Sequence, residues 1–380
     1  MVGQLAPLLA PLTLRGLTLP NRVVMAPMTR EFGIDGVPGA DVAAYYRRRA
    51  EAEVGLILTE GVAIPHPAAV DTPGVPYMYG EAVLAGWTRV FEGIHAAGGK
   101  VIPQLWHQGA MRDAAISPDP AVPPLRVSGI WGQDGGMVSL PPDKVERLLA
   151  PTRPATDEEI QDAIEAYAVS AREASSIGAD GIAIHAGHGY LVDNFLWAGT
   201  NKRTDRWGGD HRARATFAVE LVRAIRRQIS EQLPIFFRFS QFKMQDYKAR
   251  LADTPVELEA LLGPIADAGV DVFDGSQRYF DTPAFSGSSL NLAGWAKKLT
   301  GKHAMAVGGV GLDEGKTAHH IDSGSSAVNN LGRLAERMAA GEFDLIAVGR
   351  SLLNDADWWR KAQAGEPFLP FDNANLTRLT

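Results

Sequence analysis

The chain has 380 residues, 46% of them hydrophobic and 21% charged, the make-up of a globular protein long enough to bury a substantial core. Acidic residues outnumber basic ones by 44 to 37, a net charge of -7, and no basic stripe with interleaved aromatics is present, which argues against nucleic acid as a partner. The absence of cysteine excludes disulfides, thiolate nucleophiles, zinc–thiolate sites and iron–sulfur clusters together.

The N-terminal MVGQLAPLLAPLTLRG has an early polar residue and several prolines instead of a basic segment followed by a long apolar run, so it does not read as a signal peptide. No stretch approaches the roughly 18 uninterrupted apolar residues of a membrane span, and a cytoplasmic location is the expectation. PLTLRGLTLPNR, which follows, reads as a hairpin capping one end of the fold.

From there β-rich runs and helical periodicity alternate. Strands are expected over residues 22–27, 54–61, 101–106, 181–185, 235–240, 270–275, 303–308 and 343–349. Several are nearly continuous in apolar residues, as expected of strands buried on both faces of a parallel sheet. Helices are expected over 41–52, 81–97, 157–176, 212–231, 255–268, 292–299, 329–340 and 351–364. Thr156 with Glu159 makes a capping box for the third of these, and Gly178, Gly269 and Gly341 supply stop signals.

Some eight alternations with short connections predict a (β/α)8 TIM barrel, one domain over 1–380, rather than an open doubly wound sheet. The open sheet would normally carry GxGxxG after its first strand, and here that strand ends in APMTRE. One long insertion, residues 108–154, is rich in Pro and Gly and holds a hairpin signal at 134–136. Because it follows the third strand, it belongs at the C-terminal mouth, where barrel active sites lie.

The densest chemistry lies in HAGHGYLVDNFLWAGTNKRTDRWGG, residues 185–209, at the end of the fourth strand. In an extended chain His185 and His188 would point to opposite faces. Gly187 can relax that and let the two imidazoles converge, with Tyr190 facing the same space. Two histidines at this spacing are also compatible with a satisfied polar pair or with half of a metal site, but no HExxH and no acidic companion is evident.

Other positions stand out on simpler grounds. Arg238, between phenylalanines in a buried strand, needs an acceptor and is open to reading as a structural ion pair. Gly308-Gly309 ends the seventh strand and Gly349-Arg350 the eighth, the two loops where TIM barrels commonly bind phosphate. Arg350 adds a bidentate donor.

HxxHGYLxxxFL followed by NxRTDxxGG resembles the signature of the old yellow enzyme family, and the likeness runs from APMTR near the N-terminus to VGRSLL near the C-terminus. The resemblance implies a tightly but non-covalently bound FMN, reduced by NADPH or NADH, that in turn reduces activated alkenes: enones, enals, maleimides or nitroalkenes. It implies that His185 and His188 hydrogen-bond the substrate's electron-withdrawing oxygen, since relatives with Asn in the second place keep a donor there. Tyr190 would deliver the proton to Cα. The segment Pro27, Met28 and Thr29 would lie beside the flavin, with the Thr29 hydroxyl at its O4 edge. Gly61 would let the ring approach the backbone, Gln104 would pair with the pyrimidine edge, and Arg238 would sit at N1 and O2. Gly308, Gly309, Gly349 and Arg350 would hold the phosphate.

Two departures bear on substrate choice. Ala110 stands where many relatives carry arginine, and the region after Gln108 and the segment SQRYFDTPAFSG differ from better-known members. No metal is expected, and the partners expected are a small-molecule alkene and at most a second copy of the chain. Two rival readings keep the barrel: an oxidative flavin dehydrogenase, and a colourless phosphosugar aldolase or isomerase using Lys243.

Overall fold

The computed structural model describes residues 5–132, 140–313 and 326–380. Eight parallel strands close into a barrel: β1 (Val23–Met25), β2 (Leu56–Ala63), β3 (Val101–Trp106), β4 (Ile182–His185), β5 (Ile235–Ser240), β6 (Val272–Ser276), β7 (His303–Val307) and β8 (Leu345–Val348), with β8 pairing back to β1. All eight expected strands are present, and the fold is the (β/α)8 barrel.

Eight helices follow them in turn: α1 (Ala40–Glu51), α2 (Glu81–Ala96), α3 (Asp157–Ser176), α4 (Thr216–Gln228), α5 (Pro255–Asp267), α6 (Leu292–Thr300), α7 (Leu331–Ala339) and α8 (Trp358–Ala364). The capping box of α3 forms in both directions, Thr156 Oγ1 accepting from Glu159 N and Glu159 accepting from Thr156 N. Thr254 and Glu257 build a second one at α5.

Two expected helices are broken. The span 351–364 divides into Arg350–Asn354 and α8, because Asp355 is extended and its carboxylate instead takes the Lys361 ammonium at 2.6 Å. The span 212–231 becomes His211–Arg214 and α4, which ends at Gln228. The insertion after β3 is more structured than its composition indicates: it contains a helix at Pro142–Leu149. The hairpin expected at 134–136 lies outside the described residues.

Period-2 alternation sorts the strand residues into two cores. Outward-facing Ile57, Leu105, Ile184, Phe237, Phe239, Phe273 and Ile346 pack against the helices. Inward-facing Val24, Leu56, Leu58, Ile102, Ala183, Phe236, Val272, Met305 and Leu345 fill the barrel.

The N-terminal hairpin, Leu12–Leu14 paired with Leu17–Leu19, adds four leucines to that inner core and so plugs the bottom, as expected. Each buried leucine contributes roughly 1.5–3 kcal/mol of apolar transfer. Arg15, at the hairpin turn, donates to Asp271 at 2.6 Å beside the start of β6. The open end is therefore the C-terminal mouth. Among the described residues no helix is long and apolar enough to cross a membrane.

Candidate active site

Two residues beyond the apolar inner layer, the same alternation places polar side chains inward. His185 is in register with Arg238, and Arg238 with Asp274, which gives a polar row across β4, β5 and β6 above Ala183, Phe236 and Val272. Gln104 occupies the corresponding place on β3, beside Ala183 and Gly61. All four polar side chains are buried.

His185, His188 and Tyr190 converge. The imidazole centroids are 5.1 Å apart and His185 lies 4.8 Å from the Tyr190 ring, both edge to face. Trp106 closes the other side of Tyr190 at 5.0 Å, and Phe242 stacks on His188 at 5.0 Å. The bend that brings them together is not at Gly187. His188 itself takes the left-handed region, with φ +62°, followed by Gly189 at φ +83°. Gly187 serves close approach instead, since a Cβ there would stand 3.0 Å from Ser240 Oγ.

Burial drives both imidazoles well below the usual histidine range. Arg238 adds to the effect on His185; His185, Arg238 and Lys243 add to it on His188. Each ring is neutral at neutral pH and carries one N–H. His188 Nε2 is 2.8 Å from Ser276 Oγ, which also accepts from Arg238 Nη2 at 3.3 Å. Burial pushes the Tyr190 hydroxyl up, with Asp71 the next contributor, so the phenol keeps its proton. Among the described residues no group of three or more His, Asp or Glu side chains is placed to hold a metal.

Arg238 has the acceptor it needed: Nη1 reaches Asp274 Oδ2 at 3.2 Å. The structural ion pair is therefore real, but it does not exhaust the guanidinium, because Nε is buried without a partner. Gln104 Nε2 and His185 Nδ1 are buried and unmatched in the same way. Buried polar groups are nearly always hydrogen-bonded, so three unmet atoms around one mouth call for a polar ligand. An amide, an imidazole and a guanidinium match the nitrogen- and oxygen-rich edge of a flavin ring.

The loops after β7 and β8 are equally specific. Gly308 and Gly309 adopt φ +121° and +65°, and a Cβ at Gly308 would be driven into the carbonyl oxygen of Gln277. They line a cavity of about 220 Å³ together with Pro27, Met28, Arg238, Gly349, Arg350 and Arg278. Burial lowers the Arg350 pKa and Arg278 lowers it further. Three guanidinium groups on one small cavity, those of Arg238, Arg278 and Arg350, favour an anion. Arg278 was not singled out from the sequence.

Pro27 and Met28 line this cavity, while Thr29 is exposed and is not among its lining residues. The loop carrying them is fixed by Glu60, whose Oε2 accepts from Arg30 N at 2.8 Å and Glu31 N at 3.0 Å. Gly61 is also constrained by its neighbour: a Cβ there would meet the indole of Trp106 at 2.8 Å. Trp106, Glu60, Asp274 and Ser276 were not read as site residues. A larger cavity of about 670 Å³, between α3 and the loops after β2 and β3, is lined by none of these site residues.

The insertion borders Tyr190. Ala110, Met111, Trp131 and Leu148 form a small apolar cluster against which Tyr190, Leu140, Val145 and Met244 pack. Its helix is tied down by Lys144 to Asp71 at 3.2 Å and Arg147 to Asp113 at 2.7 Å.

The chain is similar to known proteins over most of its length. Residues 7–368 match the model of the NADH:flavin oxidoreductase / NADH oxidase family. The chain is 37% identical to 12-oxophytodienoate reductase 7 of Oryza sativa over 58% of its own length and 55% of that protein. It is 28% identical to NADH oxidase of Thermoanaerobacter brockii over 92% of its length, spanning about half, 49%, of that protein. Among solved structures, morphinone reductase in complex with tetrahydroNAD superposes with a TM-score of 0.79 at 26% identity, covering 97% of this chain and 93% of that one. With the family model spanning nearly the whole barrel, the chain belongs to the NADH:flavin oxidoreductase / NADH oxidase family, the old yellow enzyme family.

Proposed function

We propose that the protein is an FMN-dependent ene-reductase, one FMN-binding barrel domain that uses NADPH or NADH to reduce activated carbon–carbon double bonds. The observation that carries the reading is the convergence of His185, His188 and Tyr190 beside the unmatched Gln104, His185 and Arg238 atoms. The names of relatives support it: morphinone reductase, 12-oxophytodienoate reductase and chanoclavine-I aldehyde reductase.

Gln104 and Arg238 would hold the pyrimidine edge of FMN, and Pro27, Met28 and Thr29 its flank. Gly308, Gly309, Gly349, Arg350 and Arg278 would hold its phosphate. When bound, FMN supplies two-electron chemistry, taking hydride from the nicotinamide and giving it to an electron-poor carbon. The neutral imidazoles of His185 and His188 bind the carbonyl or nitro oxygen of the alkene through N–H groups. They stabilise the negative charge that grows there, more in the transition state than in the ground state. Tyr190 Oη holds its proton in the buried site and delivers it to Cα, which completes net addition of hydride and proton across the double bond. The tyrosinate is then reprotonated from solvent.

Lys243 weighs against the phosphosugar reading, because its ammonium is fully buried in an ion pair with Asp193 at 2.7 Å and cannot reach a substrate. The proposal extends to a cytoplasmic enzyme, monomeric or homodimeric, acting on small molecules. The test is heat release and identification of the chromophore, together with nicotinamide oxidation with and without 2-cyclohexenone. Released FMN and enone-stimulated oxidation are expected. A colourless protein after FMN supplementation would overturn the reading.

A further inference from the structure

The roles above leave one buried charged pair without a task. Lys243 and Asp193 have no exposed side-chain surface, an arrangement that is costly to form unless every bond is closed. Here most are. Lys243 Nζ donates to Asp193 Oδ1 at 2.7 Å and to the Ser240 carbonyl at 2.9 Å. Asp193 Oδ2 accepts from Gly189 N at 2.7 Å. Ser240 Oγ accepts from His188 N at 2.9 Å and donates to the Phe242 carbonyl at 2.7 Å. The His188 carbonyl accepts from Met244 N at 3.1 Å.

These bonds grip the backbone where it is strained. His188 sits at φ +62°, a region that costs a non-glycine residue energy and persists only when its surroundings over-determine it. Its own N–H, its carbonyl and the next N–H are all fixed by the β5 loop or by Asp193. Asp193 also belongs to the short helix Leu191–Leu196 that Tyr190 opens, so one carboxylate spans the turn bearing His188 and the helix start bearing Tyr190.

We propose that Lys243 and Asp193 are positioning residues: their pair locks the left-handed turn at His188 and so aims the His188 imidazole and the Tyr190 hydroxyl at the same bound alkene. The inference rests on the reduction chemistry proposed above. It concerns residues that do not touch the substrate, and its readouts separate aim from stability.

The experiment uses holoprotein and 4-nitrophenol, whose phenolate oxygen mimics the charge that grows on the substrate oxygen and whose absorbance reports its ionisation. Lys243→Met leaves the Asp193 charge without its partner. It is expected to weaken 4-nitrophenolate binding and slow single-turnover reoxidation by 2-cyclohexenone by about tenfold or more, the scale of a small misplacement of reacting groups. FMN content and reoxidation by oxygen should be unchanged. Asp193→Asn/Lys243→Met is neutral and keeps a carboxamide oxygen for Gly189 N–H, so it should recover most of both losses.

If Lys243→Met does not fold, Asp193→Leu/Lys243→Met carries the test. It fills the space with apolar groups but strips Gly189 N–H of its acceptor, and the same two losses are expected. Lys243→Met, or Asp193→Leu/Lys243→Met in its place, that melts at lower temperature yet binds 4-nitrophenol and turns over cyclohexenone as the wild type does would overturn the proposal. Failure of cyclohexenone to reoxidise the wild type would refute the ene-reductase reading instead, and the 4-nitrophenol comparison would still judge the pair.

Discussion

Arg238 and Asp274 face each other in register on β5 and β6, Nη1 3.2 Å from Oδ2, yet each retains one unmatched buried atom, Arg238 Nε and Asp274 Oδ1. Burial pushes the Asp274 carboxyl up and Arg238 pulls it down, with burial the larger effect. A pair serving stability alone would be expected to close its hydrogen bonds. Arg238 is therefore better described as a cation held ready by Asp274 for a ligand than as half of a structural bridge.

Arg238→Met is expected to lose FMN and to destabilise the fold by about 3–5 kcal/mol, the cost of an uncompensated buried carboxylate. Arg238→Met/Asp274→Leu should recover most of the stability in urea unfolding and none of the FMN affinity. Wild-type affinity in the double variant would remove Arg238 from the flavin site.

Tyr190→Phe removes the proposed proton donor and leaves the rings around it in place. Stopped-flow absorbance should show flavin reduction by NADPH or NADH unchanged and reoxidation by 2-cyclohexenone slowed by about 10²–10⁴-fold, the range of general-acid contributions. Nitroalkenes should be slowed less, because a nitronate can acquire its proton later. Unchanged cyclohexenone turnover would exclude Tyr190 as the acid.

Glu60 gives a pH signature. Burial raises its carboxyl from 4.5 to about 7 in the folded protein, against the two backbone N–H groups it accepts. A raised acid binds its proton more tightly folded than unfolded. Its contribution is therefore most favourable below the unfolded pKa and is lost as pH rises from about 4.5 through about 7. The stability difference between wild type and Glu60→Gln, followed by urea unfolding, should shift against the wild type across that window and be flat above it. A difference that is constant from pH 4.5 to 7 would show that Glu60 titrates normally.

Much of the site could be read from strand periodicity. Counting by two from Phe236 puts Arg238 inward, and the same count from Val272 would have flagged Asp274 and Ser276 as its companions. What was not legible depends on contacts distant in sequence. The bend was expected at Gly187 but falls on His188, because Ser240 and Asp193 hold a histidine where glycine would be cheaper. Gly61 reads as a seat for the flavin, but strand periodicity does not show that a Cβ there would also meet Trp106, two strand residues beyond Gln104. Glu60 was hidden inside an apolar run, and its role appears only once Arg30 and Glu31 fold over it. The Pro- and Gly-rich composition of the insertion concealed the Pro142–Leu149 helix, which two ion pairs to Asp71 and Asp113 tie down.

Gly308→Ala tests the phosphate end. The added methyl would collide with the Gln277 carbonyl in a backbone conformation that L side chains rarely adopt. FMN dissociation, followed by recovery of flavin fluorescence on dilution, should become about tenfold or more faster, a loss of at least about 1.4 kcal/mol if association is unchanged. The barrel core lies below the mouth, so far-ultraviolet circular dichroism should not change. Wild-type retention of FMN would move the phosphate away from this turn.

The proposed passage of a hydride and a proton to an activated alkene has its own assay. It is tested most directly by reducing the holoprotein anaerobically with one equivalent of NADPH or NADH and then adding 2-cyclohexenone. The yellow absorbance, bleached by the nicotinamide, is expected to return on addition of the enone, with one cyclohexanone formed per flavin. A protein that stays bleached and forms no cyclohexanone would contradict it.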